Sequence, residues 1–259
     1  MNSTTKRQLN DLNRRFYEER ATEFDGTRQH EWPGWRSVIE RLRPSIRGTP
    51  VRVLDIACGN GRFAQFLLKD HPVGAIEYTG VDQSPALLTI AEKECRGSGA
   101  DRLDWLPFDA TSDGLEETPL PDQNHLVVAF GLLHHIPSLE SRKKLIGHLS
   151  DLVDLDGILV FTLWRFNHSK RFQDKIIPWQ DYNRQADDKI DTDELETGDY
   201  LMSFGDMGST PRYCHAATEL ETEALLESLA LDQVDRFTAD GKSNDLNEYF
   251  VFQKSAGKP

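Results

Sequence analysis

The chain has 259 residues and a formal net charge of −13, with 30 Lys and Arg residues against 43 Asp and Glu residues. This length is enough for one large domain with a full hydrophobic core. The acidic balance argues against broad affinity for the nucleic-acid backbone, although it leaves room for a local basic patch.

Membrane and redox features of the sequence point to a cytoplasmic protein. No apolar run is long enough to span a membrane, and the N-terminus lacks the apolar core of a signal peptide. The three cysteines, Cys58, Cys95 and Cys214, are far apart and form no C-x-x-C pair. This spacing favours neither a disulfide framework nor a structural zinc site, so we expect no metal.

Residues 1–47 are predicted to be helical, because Leu9, Leu12 and Phe16 recur at helical spacing. Four aromatic residues follow around Arg28, namely Tyr17, Phe24, Trp32 and Trp35. Two interpretations stay open for them. They form a wall over a ligand, or they dock a helix on a sheet.

Residues 51–66 are predicted to form a strand, a glycine-rich turn and the start of a helix. Asp55 ends the strand, and the turn Ala57-Cys58-Gly59-Asn60-Gly61 is small enough to let a ligand touch the backbone. A carboxylate at this position suits a cationic or hydroxylated ligand. Arg62 and Phe63 stand where a phosphate-binding loop needs Lys and Ser or Thr, and Ala64 replaces the third glycine of a dinucleotide fingerprint.

Three further strands are predicted at Ile76–Val81, Leu103–Pro107 and His125–Phe130. Their alternation with helices implies a doubly wound, mostly parallel sheet whose carboxyl ends meet in one cleft. Asp82 ends the second strand, where a carboxylate can accept bonds from both ribose hydroxyls, because Ser84-Pro85 already caps the next helix. Asp109 follows the third strand. It either lies near an adenine amine of the ligand or is a solvated turn residue.

His134 and His135 form a histidine pair after the fourth strand. Adjacent side chains seldom point the same way and no third ligand is near in sequence, so we discount a metal and expect one histidine to line the cleft. A helix is predicted at Leu139–Val153, ending at Asp156-Gly157, with a fifth strand at Ile158–Leu163.

The C-terminal third changes character. Residues 164–210 lack a regular pattern, which indicates a lid, a binding loop or disorder. A helix at Glu219–Ala230 and closing strands at Gln233–Thr238 and Asn247–Gln253 are predicted after this insert.

Residues 51–163 resemble the class I S-adenosylmethionine-dependent methyltransferases, through the D-x-A-C-G-x-G turn, Gly80-Val81-Asp82 and the Asp109 position. Further motifs resemble the tRNA wobble-uridine 5-carboxymethyl methyltransferases. They are Phe24-x-x-Thr27-Arg28 with Trp32-Pro33, Leu133-His134-His135, Gln173-Asp174-x-x-x-Pro178-Trp179 and Arg212-Tyr213-x-His215.

The resemblance implies one domain over residues 1–259. It has a Rossmann-like, doubly wound, seven-stranded and mostly parallel sheet. Residues 1–47 form an N-terminal helical cap, 51–163 the cofactor-binding core, 164–210 a lid and substrate insert, and 211–259 the C-terminal helix and closing strands. The implied cofactor is S-adenosyl-L-methionine, with S-adenosyl-L-homocysteine as product.

The implied cofactor-binding residues follow the strand ends and the N-terminal segment. They are Tyr17, Arg28, Asp55, Ala57, Gly59, Asn60, Gly61, Asp82, Gln83, Ser84, Asp109, Ala110, Phe130, Gly131 and Leu132. The candidates that act on the acceptor are Arg28, Arg212, Tyr213, His215 and His135. Arg28 and Arg212 would grip an acceptor carboxylate in a bidentate fork, and Tyr213 and His215 would shape its site.

The implied acceptor is a carboxylate such as 5-carboxymethyluridine in a tRNA anticodon, although the acidic net charge disfavours a tRNA partner. Eukaryotic members of the subgroup also work with a small zinc-binding activator protein, which is a partner by resemblance only; we expect no membrane partner. The alternatives are a small-molecule or protein O-methyltransferase and a catalytically silent cofactor-binding interaction protein.

Overall fold

The computed structural model describes residues 1–42, 50–70, 75–111, 119–204 and 210–255. The predicted helical residues 43–47 and residues 205–209 of the predicted insert lie outside them. The helices are α1 (Ser3–Gly26), α2 (Gly34–Leu42), α3 (Arg62–Asp70), α4 (Pro85–Cys95), α5 (Leu139–Asp151), α6 (Lys170–Gln173), α7 (Trp179–Gln185) and α8 (Glu219–Leu226). The strands are β1 (Val51–Ile56), β2 (Ile76–Asp82), β3 (Arg102–Pro107), β4 (Asn124–Ala129), β5 (Val153–Trp164), β6 (Ile176–Ile177), β7 (Asp199–Met202), β8 (Arg212–His215), β9 (Asp232–Ala239) and β10 (Asn247–Gln253).

The main sheet has seven strands in the order β3-β2-β1-β4-β5-β10-β9. The first five strands run parallel, and β10 lies antiparallel between β5 and β9. The order reverses between β1 and β4, which is where ligands bind in open sheets of this kind. The prediction of a Rossmann-like, doubly wound, seven-stranded and mostly parallel sheet is confirmed.

The central strands are buried on both faces, as continuous apolar runs in parallel sheets usually are. Leu54 and Ile56 of β1 pack on the face covered by α5 and α8. Val51 and Val53 pack on the opposite face, with α2 and α3. This alternation fixes the register of β1 and therefore brings Asp55 to the carboxyl end of the sheet.

A second sheet lies in the insert that the sequence shows without a regular pattern. It has three antiparallel strands in the order β6-β7-β8, which we call the lid sheet. The first half of α1 packs on it, because Leu9 and Leu12 share a buried cluster with Leu201 and Tyr213. Strands of two and four residues are too short to give a periodic signal, so the sequence did not predict them.

The predicted helix stop at Asp156-Gly157 is wrong. α5 ends at Asp151, and both residues lie inside β5. Asp156 has a φ of +62°, its N–H donates to the Lys254 carbonyl (2.8 Å), and the register of β4 and β5 shifts nearby. The Asp-Gly pair therefore marks an irregularity in a strand rather than a helix end.

Within the part of the chain that the structure describes, no helix combines the length and the apolar character needed to cross a membrane.

Candidate active site

A cavity of about 720 Å³ opens at the carboxyl ends of β1, β2 and β4, and α1 and the lid sheet close it from above. Most of the predicted site residues line it. They are Tyr17, Arg28, Asp55, Ala57, Gly59, Asn60, Asp82, Gln83, Asp109, Ala110, Phe130, Gly131, Leu132, His135 and Arg212. Gly61, Ser84, Tyr213 and His215 do not line the cavity.

The turn after β1 brings backbone to the cavity. Ala57, Gly59 and Gly61 have φ values of +60°, +58° and +74°. A Cβ on Gly59 would point into nearly open space, so the cavity reaches the backbone there. A Cβ on Gly61 would meet Ala91 at 2.9 Å, so this glycine allows the close packing of α3 on α4.

Asp82 joins the first two strand ends. Its carboxylate accepts the N–H of Gly59 (2.9 Å) and the N–H of Ser84 (2.8 Å), and burial raises its pKa to about 6. A carboxylate has about four lone pairs, so Asp82 can still accept from a hydroxyl donor in the cavity. Ser84 caps α4 by accepting from the Leu87 N–H (3.4 Å).

Asp55 and Asp109 complete the acidic side of the cavity. The Tyr78 hydroxyl donates to Asp55 (2.5 Å), whose pKa burial raises to about 7. The Asp109 carboxylate accepts from the Thr111 N–H (2.9 Å) and lies 3.4 Å from the Arg14 guanidinium. Asp109 therefore stabilises its own turn and also lines the cavity.

The N-terminal aromatic residues satisfy both sequence interpretations. Tyr17, Phe24, Trp32 and Trp35 all line the cavity. Trp35 also stacks on Trp32 and packs against Phe63, with ring centroids 5.6 and 5.3 Å away, and so docks α2 on the sheet.

The segment after α1 is fixed to the glycine turn. Asn60 donates to the Asp25 carboxylate (2.8 Å) and to the Arg28 carbonyl (3.1 Å). These bonds hold Arg28 over the cavity. Its guanidinium lies over the Phe24 ring, 4.8 Å from the centroid.

His135 is a neutral ring whose two nitrogens are both engaged. Its Nδ1 lies 2.9 Å from the Tyr213 carbonyl, which can only accept, so Nδ1 carries the proton. Its Nε2 then accepts the Tyr17 hydroxyl (2.9 Å). Burial and the positive charge of Arg212 lower its pKa to about 3. Asn13 supports this arrangement by donating to the His135 carbonyl (3.3 Å) and accepting the Tyr213 N–H (2.9 Å).

Arg212 enters the cavity from β8. It is 5% exposed, and its guanidinium lies 5.3 Å from the ring centroids of both Phe16 and Trp164. Its buried Nε has no hydrogen-bond partner among residues 1–42, 50–70, 75–111, 119–204 and 210–255.

Tyr213 and His215, which are predicted to shape the acceptor site, do not line the cavity. Successive strand side chains alternate between faces, so these two point away from the face that Arg212 occupies. The Tyr213 hydroxyl donates to Asp199 (2.7 Å), and His215 lies between Asp199 and Glu221, at 2.7 Å from each.

The sequence missed several cavity residues. His134 lines the cavity beside His135, so both histidines lie there and not one. Its Nδ1 is buried without a partner in the described chain, and burial holds its pKa well below the usual value. Trp164, Arg171, Phe172, Lys175 and Phe204 come from the insert, and no periodic signal in it pointed to them.

Two groups of side chains bring three metal-ligand atoms within 4.8 Å of one another in the described residues: His134, His135 and Cys214, and Glu196, Asp199 and His215. Both nitrogens of His135 are already bonded, and Arg212 adds a positive charge beside it. Hydrogen bonds that its ring donates to Asp199 and Glu221 raise the pKa of His215 and so favour its protonated form. We assign no metal to either group.

A family model described as "Methyltransferase domain" matches residues 54–159. The match covers the glycine turn, the carboxylates at the strand ends and the cavity floor. Residues 54–159 are a methyltransferase domain. The class I type predicted from the sequence is confirmed, and the match supports the predicted cofactor, S-adenosylmethionine.

Curated relatives extend the similarity at low identity. The chain is 25% identical over 166 residues to the probable tRNA methyltransferase 9B of Mus musculus, covering 63% of this chain and 32% of the relative. It is 28% identical over 150 residues to the tRNA (carboxymethyluridine(34)-5-O)-methyltransferase of Arabidopsis thaliana, covering 58% and 32%. It is 24% identical over 189 residues to the malonyl-[acyl-carrier protein] O-methyltransferase of a Paenibacillus strain, covering 73% and 66%. The chain thus spans about a third of the two tRNA-methyltransferase relatives.

A solved structure shares the fold. An S-adenosylmethionine-dependent methyltransferase from Clostridium acetobutylicum superposes with a TM-score of 0.64 at 15% identity, covering 93% of this chain and 99% of that one.

The cavity residues fit this cofactor. Gly59 leaves room for a ligand against the backbone, and Asp82 keeps lone pairs for ribose hydroxyls. Asp109 and Ala110 lie where the adenine edge is predicted to bind, and Phe130, Gly131 and Leu132 continue the wall at the end of β4.

Proposed function

We propose that this chain transfers a methyl group to a carboxylate, and that the acceptor is the 5-carboxymethyl group of a uridine in a tRNA anticodon. The observation that carries the proposal is Arg212. It is a buried arginine that faces the cavity, and it forms no ion pair with any described carboxylate. A buried charge without a partner is costly, so an anionic ligand is the natural partner for this guanidinium.

A carboxylate acceptor also fits the protonation states around the cavity. Carboxylates are ionised at neutral pH, so their methylation needs no general base. His135 is neutral with both nitrogens bonded, and the pKa of His134 is held well below its usual value. Neither ring is arranged to take a proton from a hydroxyl or amine acceptor.

Within this mechanism the residues of the chain position the acceptor and exclude water from the cavity. The cofactor supplies an activated methyl group when it is bound. Arg212 and Arg28 orient the acceptor carboxylate toward it, and Tyr17 is held by its bond to His135 (2.9 Å). The aromatic rings of α1, α2 and the lid exclude water from the cavity.

The names of two relatives support a carboxylate acceptor. One names carboxymethyluridine and the other names a malonyl group, and each of these carries a carboxylic acid. A second candidate acceptor is therefore a small or carrier-bound acid. The net charge of −13 favours it, because this charge disfavours tRNA. A small zinc-binding activator protein is a further proposed partner by resemblance.

The test compares Arg212→Ala and Arg212→Lys with Arg184→Ala, an exposed arginine that pairs with Asp181 on the surface. Radiolabelled S-adenosylmethionine is incubated with tRNA that contains carboxymethyluridine, and separately with RNA-free extract. We expect both Arg212 variants to lose about 100-fold in kcat/KM, because a lysine cannot replace a bidentate fork, while cofactor affinity changes less than about twofold. Arg184→Ala should behave as wild type.

Unchanged turnover in Arg212→Ala, with cofactor affinity intact, would contradict the assigned role. Label in the small-molecule fraction alone would move the proposal to the second acceptor. Absence of label from every fraction would favour a cofactor-binding interaction protein.

A further inference from the structure

Acidic and basic side chains both line the cavity. The acidic side chains all have partners within the protein. Besides those of Asp55, Asp82 and Asp109, the Asp240 carboxylate accepts from Gly34, Asn247 and Tyr249, and Glu31 pairs with Arg36. None of these carboxylates forms an ion pair with the cavity cations of the insert and β8 in the described residues.

Two of those cations lie on the insert. Arg171 is exposed, and its guanidinium lies 5.2 Å from the centroid of the Phe172 ring. Phe172 packs edge-on against Trp164 at 5.0 Å, and Trp164 in turn packs against the buried Arg212. A continuous aromatic path thus leads from the deep cation to the one at the cavity mouth.

Lys175 is held in place by the lid sheet. Its carbonyl accepts the N–H of Ser203 (2.9 Å) and the Ser203 hydroxyl (3.2 Å). The next residue, Ile176, pairs with Met202 in the antiparallel ladder. The backbone of Lys175 is therefore fixed where its side chain lines the cavity.

These lid cations are unpaired in the described residues. No ion pair joins Arg171 or Lys175 to a carboxylate of residues 1–42, 50–70, 75–111, 119–204 or 210–255, and the same holds for Arg28 and Arg212. Burial and the positive charges of Arg212 and Arg171 lower the pKa of Arg28, so these guanidinium groups act on one another. The carboxylate of the bound cofactor and one carboxylate of the acceptor would compensate only two of these four positive charges.

We propose that Arg171 and Lys175 bind a second anionic group of the acceptor, a phosphate or a carboxylate, while Arg212 and Arg28 hold the carboxylate that is methylated. This inference rests on the proposed function and narrows its acceptor to a molecule with at least two acidic groups. Arginine and lysine both bind phosphate and carboxylate oxygens through charge-assisted hydrogen bonds. The second group is either a phosphate of an RNA strand or a second acid of a small polyacid.

The test measures binding to the protein saturated with S-adenosylhomocysteine, by ligand-observed NMR titration. Two matched pairs of probes add one anion each: 5-carboxymethyluridine against its 3′-monophosphate, and pentanoate against glutarate. We expect the added anion to strengthen binding about tenfold in one pair, the size of one charge-assisted contact. The double variant Arg171→Gln with Lys175→Gln should abolish this gain and leave the monoanion affinity within about twofold. Lys170→Gln, an exposed neighbour that does not line the cavity, should keep the gain.

The pair that shows the gain identifies the source. A gain with the nucleotide supports RNA, and a gain with glutarate supports a small polyacid. The inference is overturned when neither pair gains in the wild type or when the double variant keeps the gain. The proposed function is tested separately by the binding of the monoanions. If Arg212→Ala binds them as tightly as the wild type does, the proposed function fails.

Discussion

Asp55 is a buried carboxyl group whose effect on the free energy of unfolding can be measured. Burial raises its pKa from 3.8 to about 7, so the folded protein binds its proton more tightly than the unfolded chain does. The protonated group contributes fully to stability below pH 3.8, the pKa of Asp55 in the unfolded chain. This contribution is lost as the pH rises through about 7, its pKa in the folded protein. At pH 8 the ionised group is therefore destabilising.

We predict that Asp55→Asn raises the free energy of unfolding at pH 8 by about 1 to 4 kcal/mol. The gain should shrink as the pH falls from about 7 towards 3.8, because the wild-type carboxyl group is protonated in both the folded and the unfolded state below that value. Urea unfolding over this range measures it, with the exposed Asp122→Asn as control. A gain that does not change with pH would contradict this account.

Asp82 should govern cofactor affinity. Its two backbone bonds leave lone pairs for ribose hydroxyls, and an asparagine nitrogen in place of one oxygen cannot accept. We predict that Asp82→Asn weakens S-adenosylhomocysteine binding about tenfold, as measured by calorimetry at pH 8. Wild-type affinity should also decline below pH 6, where the carboxyl group, with a pKa of about 6, takes up a proton. Equal affinity of the two proteins at pH 8 would remove Asp82 from the site.

Single residues differ in how far the sequence could place them. Asp55, Asp82 and Gly59 were predictable, because parallel strands bring their carboxyl ends together whatever the details of packing. Tyr213 and His215 were not, since the face that a strand residue takes depends on a register that a four-residue strand does not reveal.

Among the elements, β8 is fixed to α5 and α8 by a buried ionic network. Arg142 pairs with Glu196 (2.7 Å) and Glu221 (2.5 Å), and His215 bridges Glu221 and Asp199. Hydrogen bonds that its ring donates to these two carboxylates raise the pKa of His215 above 6.5 despite its burial. The protonated imidazole therefore contributes fully to stability below pH 6.5, the pKa of a histidine in the unfolded chain. This contribution is lost as the pH rises through the higher pKa that His215 has in the folded protein.

We predict that His215→Gln lowers the free energy of unfolding more at pH 6 than at pH 9, because only the protonated imidazole compensates Asp199 and Glu221. The loss at pH 6 should be about 3 kcal/mol, the usual cost of removing one partner of a buried ion pair. Thermal unfolding at the two pH values measures it. A deficit of equal size at both would show that His215 acts without its charge.

The elements that position the site were predictable to different degrees. β1, β2 and β4 are apolar runs of six or seven residues that end at or near acidic or glycine residues. Their pattern therefore indicates both a strand and the edge of the sheet at which a ligand binds. The lid sheet was not predictable, because β6 has two residues and its partners four, and they are stabilised by contacts with α1 far along the chain.

Over the whole molecule, a net charge of −13 coexists with a cavity whose lid side is cationic. Composition alone therefore misjudges the site, because it averages the acidic surface with the few cations that meet a ligand. The overall charge bears on which partner approaches, whereas Arg28, Arg171, Lys175 and Arg212 bear on what binds in the cavity.

The most direct test of a carboxylate acceptor is the base lability of the product. The protein is incubated with methyl-tritiated S-adenosylmethionine and either tRNA that contains carboxymethyluridine or RNA-free extract, and the labelled product is then treated with mild base. We predict that the label is released as volatile methanol, because a methyl ester hydrolyses under these conditions, and that Arg212→Ala yields no such label. Label that withstands base would show methylation of nitrogen, carbon or an ether oxygen, and would contradict the proposed carboxylate acceptor.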